Sequence, residues 1–531
     1  MSPSPLRRVE TDVCVIGGGI SAALLAEMLS EKAPQLSVVV VEAGRRLFDA
    51  ENRLEYRRRS LAYDENQWPG DFIEDQGGEG VISRTMAVGG SAMHWQGHAN
   101  RFSAEDLRLR SMYGLAEDWP LSWSELEPWL SDAERRIGVA GEPSPHPEDA
   151  RTSPYPMPPM PLTYNLERIK AWAEATGLPF YGCPVARNTI PFDGRAQCRR
   201  CNTCTVCPTG ARYSPDYTFK KLLASRRIEL HDRVLVRRLV LHETRNDIVA
   251  AVGHHAERPD EPVEYRARTF VVAAGYAWSP HLLLLSANYR FPGGLANRSD
   301  TVGRFMTGHR FTTANIELDE KLYPGMNAPY PLISRQHFRC PTDGPYARFD
   351  VQIFESESGR RPRLRGEGGE LLFGDDLLRD WSVRTAKGVA RVRMYSDTHP
   401  SRDSRLTLDR GTTNRHGDPM PRIVHRLDDA SEAREPATQA RIRGIYDAMV
   451  RSGGGRVLSV SVADYQDHPA GGCRMGSNPA TSVCDSFGRT HDHPNLFVVG
   501  APTLPTGGCT NGTITFAGLT LRSAEHLAAT M

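Results

Sequence analysis

The chain contains 531 residues, with 65 lysines and arginines against 64 aspartates and glutamates and a formal net charge of +1. This balance excludes the strongly basic surface that binds nucleic acids or acidic membranes, and the length predicts about three domains or two large ones. No apolar run approaches the ~18 residues of a membrane-spanning helix. The first strand begins directly after Arg7 and Arg8, without an apolar signal region, so the sequence predicts a cytoplasmic protein that does not insert into a membrane.

The N-terminal segment has the pattern of a βαβ unit with a glycine-rich turn. An apolar strand leads into the run Gly17 to Ala22, a helical segment follows, and a second strand ends on Glu42. In such a turn, Gly17 allows the tight bend, Gly19 lets the backbone approach a pyrophosphate, and Ala22 lets helix and strand pack closely. The phosphates bind at the helix N-terminus, and Glu42 has the reach to bind a ribose hydroxyl. The pattern therefore predicts a dinucleotide site.

The remaining predicted elements follow in chain order. The segment from Val88 to Trp95 contains paired glycines, which let a backbone pass close to a flat ligand, and residues 143–163 are too rich in proline for a helix or a central strand. Apolar runs and alternating patterns predict strands at 228–241, 270–275, 348–355, 388–396, 404–408 and 496–500, and helices at 435–452 and 513–527. Dinucleotide-type pieces lie at both ends and in the middle, so the sequence predicts a discontinuous nucleotide domain in an α/β fold (α+β overall).

Four of the ten cysteines lie close together, at Cys198, Cys201, Cys204 and Cys207. Thiolates at this spacing favour a metal site over a disulfide framework. The two-residue gaps and the following proline favour an iron–sulfur cluster, although the last gap is one residue shorter than in bacterial ferredoxins. Zinc fits less well, because a four-thiolate zinc site usually joins two Cys-x2-Cys pairs through a longer loop. Disulfides or free thiols are the third alternative.

Four further motifs accompany the glycine-rich turn: Gly89-Gly90-Ser91, Ala273-Ala274-Gly275, His468 to Gly476 and Pro505 to Thr513. Together they resemble the glucose–methanol–choline (GMC) family of FAD oxidoreductases, and the resemblance runs nearly end to end. The resemblance implies FAD as cofactor, a discontinuous Rossmann-like FAD-binding domain, and a substrate domain built on an antiparallel sheet covered by helices. The strands predicted at 348–355, 388–396 and 404–408 would belong to that sheet.

This division predicts the domain boundaries. The FAD-binding domain would comprise residues 1–140, 215–310 and 465–531, and the substrate domain residues 311–464. Residues 141–214 would form a linker with the cysteine-rich insertion.

The resemblance places the reaction at two residues near the C-terminus. Oxidation of an alcohol sends the hydroxyl proton to a base and the carbinol hydride to flavin N5. His468 corresponds to the family's base, a role that suits imidazole because its pKa lies near neutrality. Asn511 occupies the second catalytic position, where an amide orients the substrate hydroxyl without competing for the proton. Gly512 stands where a proline is common in the family.

Further contacts with FAD are implied by the resemblance. Gly90 and His94 would lie beside the flavin. In pyranose oxidases a His-Trp sequence similar to that at His94 carries a covalent bond to FAD, whereas related dehydrogenases have a like sequence without requiring the bond. Val236 would meet the adenine through its backbone, and Gly500 would begin the turn beside the ribityl or phosphate region, with Ala501 where an acid is common.

Within the family, Asp118-Trp119-Pro120 and the cysteine-rich segment look most like bacterial gluconate and glucose dehydrogenase catalytic subunits. This likeness implies a sugar, glycoside or polyol substrate and an iron–sulfur relay. It also implies a small partner subunit or cytochrome as electron acceptor, and co-export to the periplasm with that partner. Two alternatives stay open: a pyranose-oxidase-like enzyme that reduces oxygen to hydrogen peroxide, and a flavin-bound lyase or non-redox binding protein.

Overall fold

A computed structural model describes residues 7–47, 53, 74–76, 85–146, 149, 151–201, 204–256, 258–323, 330–340, 345–356, 362–414, 416–464 and 468–531. The strands are β1 (Arg7–Ile16), β2 (Val38–Val41), β3 (Glu74–Gln76), β4 (Tyr181–Gly182), β5 (Glu229–His231), β6 (Val234–Leu241), β7 (Ile248–His255), β8 (Arg258–Val272), β9 (Arg310–Glu317), β10 (Leu332–Ser334), β11 (Val351–Glu355), β12 (Val389–Ser396), β13 (Arg405–Thr413), β14 (Pro419–Val424), β15 (Arg456–Asp464) and β16 (Leu496–Val498). The α-helices are α1 (Ile20–Lys32), α2 (Leu109–Tyr113), α3 (Trp123–Ile137), α4 (Tyr164–Glu174), α5 (Asp216–Ala224), α6 (Gly275–Leu285), α7 (Gly374–Thr385), α8 (Asp429–Gly453) and α9 (Thr513–Thr530).

The first sheet carries the glycine-rich turn. Its strand order is β5-β2-β1-β8-β7-β6, and β16 also pairs with β8. The pairs of β1 with β2 and β8, and of β8 with β16, are parallel. Strands from both ends and the middle of the chain thus form one sheet, and β1, α1 and β2 form the predicted βαβ unit.

Strand β2 and the C-terminal ends of the parallel strands β1 and β8 are buried on both faces, as a helix-covered parallel sheet requires. Successive residues of β1 point to opposite sides. Val13 and Val15 pack against α1, α3 and α9, whereas Cys14 and Ile16 pack on the other face with α6. The uninterrupted apolar run of β2 has the same explanation, because every side chain of that strand is buried.

The second sheet is antiparallel, with the order β15-β9-β12-β11-β10-β4. Helices α4 and α8 pack on it through apolar residues such as Trp172 and Tyr446. The strands predicted at 348–355 and 388–396 are present here as β11 and β12. Residues 141–214 contribute α4 and β4 to this layer.

The strand predicted at 404–408 does not belong to the second sheet, so that part of the prediction was wrong. It is β13, which pairs antiparallel with β14 in a separate three-stranded sheet completed by β3. Only residues 414–418 separate β13 from β14, and closing such a short loop costs little entropy. The local hairpin therefore forms instead of a distant pairing.

The helix predicted at 435–452 begins earlier, at Asp429. The side chain of Asp428 accepts a hydrogen bond from the backbone N–H of Ser431 at 2.7 Å and caps the helix. Pro436 therefore lies inside α8 rather than in its first turn. Across the described ranges, the structure contains no helix with both the length and the apolar character needed to span a bilayer.

Candidate active site

A cavity of about 780 Å³ is lined by residues from both large sheets. The predicted site residues that line it are Gly17, Gly19, Glu42, Gly90, His94, Val236, Gly500, His468 and Asn511. Ala22 is in the first turn of α1, where it is fully buried in the core. The chain therefore brings together residues that are nearly 500 positions apart in sequence, as expected for one extended ligand.

Two glycine turns approach each other at one end of the cavity. The backbone N–H of Gly89 donates to the Gly18 carbonyl at 2.7 Å. A Cβ added at Gly90 would lie 3.2 Å from the Gly19 Cα, and one added at Gly17 would lie 2.5 Å from the Ala273 carbonyl oxygen. A Cβ at Gly19 would point into open space. The cradle beside the α1 N-terminus is thus bare backbone, which fits the pyrophosphate of FAD.

Glu42 is held rigidly at the end of β2. Its carboxylate accepts backbone N–H groups of Gly18 at 2.6 Å and Gly44 at 2.8 Å, one on each oxygen. Burial raises the pKa of Glu42 to about 7, although these hydrogen bonds oppose the shift. Each oxygen keeps a second lone pair, so the carboxyl group fits a ribose hydroxyl.

The three other residues that we expected near FAD lie along the same cavity. His94 follows the 3-10 turn Gly90–Met93, and its Nε2 lies 3.1 Å from the Thr85 hydroxyl. Val236 is in β6, where the pairing with β7 shifts register between Val236 and Arg238. Gly500 follows the first sheet's β16 with a φ of +92° and faces Ser21 of α1.

His468 and Asn511 meet at the cavity wall. Nδ2 of Asn511 lies 2.6 Å from Nε2 of His468. His468 has a φ of +52°, a left-handed conformation that is uncommon outside glycine and is found at functional sites. Asn511 directly precedes the N-cap residue of α9, Gly512. The turn and the helix start thus aim two polar side chains at one point.

The amide of Asn511 has a defined orientation. Its Oδ1 accepts hydrogen bonds from Nδ2 of Asn100 at 3.0 Å and from Nε2 of Gln352 at 3.1 Å. Nε2 of Gln352 also donates to the Asp350 carboxylate at 2.7 Å. When Asp350 is ionised its carboxylate only accepts, so Gln352 presents its NH2 group on this side. The Asn511 nitrogen is therefore the atom that faces His468.

Asp350 anchors this network from inside the protein. Its carboxylate also accepts the Thr510 hydroxyl at 2.9 Å and the backbone N–H of Tyr395 at 3.1 Å. Burial raises the pKa of Asp350 to about 7, against the opposing effect of these hydrogen bonds. Thr510 precedes Asn511 in the chain, so one buried carboxyl group holds this segment directly at Thr510 and through Gln352 at Asn511.

Family models described as GMC oxidoreductase match residues 165–309 and 400–520. The chain belongs to the GMC oxidoreductase family. It is 30% identical to the fructose dehydrogenase large subunit of Gluconobacter japonicus over 98% of both chains. It is 29% identical to the 6'''-hydroxyparomomycin C oxidase of Streptomyces lividus over 98% of this chain and 92% of that one. A formate oxidase structure from Aspergillus oryzae shares the fold, with a TM-score of 0.67, 14% identity and 98% of both chains covered.

This membership decides the cofactor and the reaction class. A GMC oxidoreductase is an FAD-dependent enzyme that acts on CH–OH groups. The glycine cradle and Glu42 fit the cofactor on geometry alone, so the family and the site agree.

The four clustered cysteines of this GMC oxidoreductase are not arranged in the structure as the expected metal centre. Cys201 is exposed, whereas Cys207 is buried. Cys204 accepts a hydrogen bond from Arg187 at 3.0 Å, while Cys207 lies 3.7 Å from the Thr209 hydroxyl. A cluster or zinc ion needs sulfurs that converge on one centre. Within the part of the chain that the structure describes, no three His, Cys, Asp or Glu side chains are placed to hold a metal ion. The residues as placed therefore fit neither an iron–sulfur cluster nor zinc.

Sequence reasoning missed five residues of this GMC site: Asn100, His309, Asp350, Gln352 and Tyr395. A signal existed for two of them. Asp350 and Gln352 occupy alternate positions of a strand predicted to be half buried, and buried polar side chains are unusual unless they are paired. His309 carried no such signal, because it lies between predicted elements.

Proposed function

We propose that this GMC oxidoreductase oxidises a hydroxyl of a sugar, glycoside or polyol to a carbonyl, with His468 as the base. The observation that supports this most is the 2.6 Å contact between Asn511 Nδ2 and His468 Nε2 at the cavity wall. When bound, FAD supplies the hydride acceptor.

His468 and Asn511 have different roles toward the substrate hydroxyl. In the substrate complex the hydroxyl replaces the direct contact between the two side chains: it donates its hydrogen to Nε2 of His468 and accepts a hydrogen bond from Nδ2 of Asn511. Removal of the proton by His468 makes loss of hydride from the same carbon favourable, because the remaining electron pair forms the carbonyl. Asn511 fixes the direction of the C–O bond, and its own amide is held by Asn100 and Gln352.

The cavity offers both hydrogen-bonding groups and ring faces to a substrate. Arg391 and Arg393 line it from β12, and both guanidinium groups stack on the ring of Phe354, at 4.8 and 5.7 Å from its centroid. Glu355 and His98 line it as well. Several polar groups around flat rings suit a polyhydroxylated ligand. The relative named for fructose supports the same substrate class.

An acceptor-dye screen tests the proposed function. Sugars, glycosides and polyols are offered to the holoenzyme with a redox dye, with and without oxygen, and flavin bleaching is recorded anaerobically. We expect at least one polyhydroxylated substrate to bleach the flavin and reduce the dye. If no alcohol bleaches the flavin, the lyase or non-redox alternative is favoured.

Acid precipitation of the holoenzyme tests the covalent bond. Release of all yellow colour into the supernatant would exclude a covalent bond between FAD and His94.

We propose a dehydrogenase that passes electrons to a partner subunit, a cytochrome or a dye. The fructose dehydrogenase large subunit supports this, since its name describes one chain of a larger enzyme. A peroxide-producing oxidase is the second candidate, supported by the relative named as an oxidase. Stoichiometric hydrogen peroxide formed during turnover in air would identify the oxidase.

An iron–sulfur relay stays a prediction from the cysteine spacing alone. Because the four sulfurs as placed do not form a ligand set, no electron-transfer step is assigned to them. Iron and acid-labile sulfide, measured on anaerobically purified protein, test the prediction. Absence of both iron and sulfide, or the presence of zinc alone, would rule out the iron–sulfur relay.

A further inference from the structure

We infer that His309 is a positioning residue that fixes the tautomer of His468, so that the lone pair of Nε2 faces the substrate. The inference rests on the proposed function, in which His468 is the base, and deepens it. His309 lies 159 positions before His468, and Nδ1 of one ring is 3.3 Å from Nδ1 of the other.

The backbone brings the two imidazoles together. Thr307 and Ala470 exchange two hydrogen bonds, at 2.8 and 2.9 Å, as an antiparallel bridge. Continuing this register by two residues places His309 opposite His468. Their ring centroids are 5.1 Å apart. His309 itself is fully buried, so its contacts are set by the fold and not by solvent.

The proton positions follow from the far side of His309. Nε2 of His309 lies 3.1 Å from the Gly507 carbonyl oxygen. A carbonyl only accepts, so Nε2 of His309 carries the hydrogen, and in the neutral ring Nδ1 carries the lone pair. The hydrogen bond at 3.3 Å then requires Nδ1 of His468 to be the donor. Nε2 of His468 is left with the lone pair, which a base needs.

The Asn511 side of His468 gives the same answer independently. Its amide nitrogen, oriented by Asn100 and Gln352, donates toward Nε2 of His468. In the opposite tautomer, two donors would face each other at 2.6 Å, and Nε2 could not accept a proton. The tautomer of a histidine is set by the hydrogen bond that its other nitrogen makes, and here that partner is His309.

Two substitutions separate the roles of the two His309 nitrogens. His309→Asn places an amide oxygen near the former Nδ1, so an acceptor for His468 remains while the contact with Gly507 is lost. His309→Gln places an amide group near the former Nε2, so the Gly507 contact remains while the acceptor is lost. His309→Phe removes both.

Two readouts test the inference on the holoenzyme. The first is 15N NMR of histidine-labelled protein, with the His468 signals assigned by their loss in His468→Gln. The second is anaerobic stopped-flow, which separates the limiting rate of flavin reduction from the apparent dissociation constant of the substrate found in the dye screen. The matched control is His493→Asn, because His493 is also buried and makes two hydrogen bonds, to Asn246 and Ala296, away from the cavity.

We expect wild-type His468 to be protonated at Nδ1 and unprotonated at Nε2. His309→Phe and His309→Gln should shift this signal toward the other tautomer and lower the limiting rate by about 10- to 100-fold, with little change in the substrate dissociation constant. His309→Asn should keep the wild-type tautomer and most of the rate. His493→Asn should lower the melting temperature without changing the rate.

The inference is overturned if wild-type His468 is protonated at Nε2, or if His309→Gln retains the wild-type tautomer and rate. Should His309→Phe fail to fold, the difference in tautomer and limiting rate between His309→Asn and His309→Gln still decides the question. The NMR result does not depend on turnover. The wild type could show the expected tautomer while His468→Ala reduces its flavin at the wild-type rate. That pair of results would contradict the proposed function but would support the role of His309 in setting the tautomer.

Discussion

Asn511 presents its amide nitrogen to Nε2 of His468 at 2.6 Å, and Gln352 in the second sheet helps to fix which end of that amide faces the histidine. The first sheet holds the cofactor side of the cavity, and the second sheet holds the amide from behind. The contact between Asn511 and His468 therefore depends on both sheets.

We predict that Gln352→Leu lowers the limiting rate of flavin reduction by about tenfold, equivalent to ~1.4 kcal/mol. Leucine removes the donor that holds Asn511 Oδ1 and leaves Asp350 one hydrogen bond short. Anaerobic stopped-flow with the substrate from the dye screen measures the effect. Gln439→Leu is the matched control, because Gln439 lies on α8 and pairs with Thr312 of β9, away from the cavity. Equal rates in the two variants would contradict the prediction.

We predict that Gly19→Ala weakens FAD binding by at least about tenfold while the fold persists. The new Cβ would meet no protein atom within 4 Å and would project into the cavity, into the space that fits the pyrophosphate. Loss of a glycine N-cap costs about 0.5–1 kcal/mol of helix stability. Fluorescence titration of the apoprotein with FAD gives the affinity.

The matched control for that variant is Gly444→Ala. Gly444 lies within α8, and a Cβ there would also meet nothing within 4 Å. This change should raise stability by about 0.5–1 kcal/mol and leave the FAD affinity unchanged. An unaltered FAD affinity in Gly19→Ala would place the pyrophosphate elsewhere.

Asp350 gives a pH-dependent stability prediction. Its pKa is raised from 3.8 to about 7 in the folded protein, so between these values the folded state binds a proton that the unfolded state has lost. The group therefore stabilises the fold fully below pH 4, and the stabilisation is lost as pH rises through 7. Relative to Asp350→Asn, the wild type should lose about 1.4 kcal/mol per pH unit in this window and level off above it.

Unfolding of both holoproteins at several pH values measures this difference, and comparing the two proteins cancels the titration of all other groups, including Glu42. A difference that does not change between pH 4 and pH 7 would mean that Asp350 keeps an ordinary pKa in the folded protein.

The sequence predicted the N-terminal βαβ unit and its glycine-rich turn well, because the signals for them are local. The turn at Gly17 to Ala22 and its flanking strands lie within one short segment, where glycine spacing and apolar runs are directly visible. The same holds for the strands that became β11 and β12, whose alternating pattern depends only on the pleat of each strand.

The parts that could not be predicted depend on contacts that are distant in sequence. The meeting of His309 and His468 follows from the Thr307–Ala470 bridge, and the hydrogen bond from Thr510 to Asp350 joins the segment before α9 to the second sheet. The placement of β13 failed for the opposite reason, since a local hairpin outcompeted the pairing that we expected. The cysteine spacing suggested a shared metal centre, but spacing does not fix which way each sulfur points.

The most direct test of this account is the anaerobic flavin reduction rate of His468→Ala with a polyhydroxylated alcohol that bleaches the wild type. Because we expect the glycine cradle and Glu42, and not His468, to hold FAD, the variant should keep its full FAD content. Loss of the base should lower the limiting rate by about 10²- to 10⁴-fold. Reduction of fully FAD-loaded His468→Ala at the wild-type rate would contradict the assignment of His468 as the base.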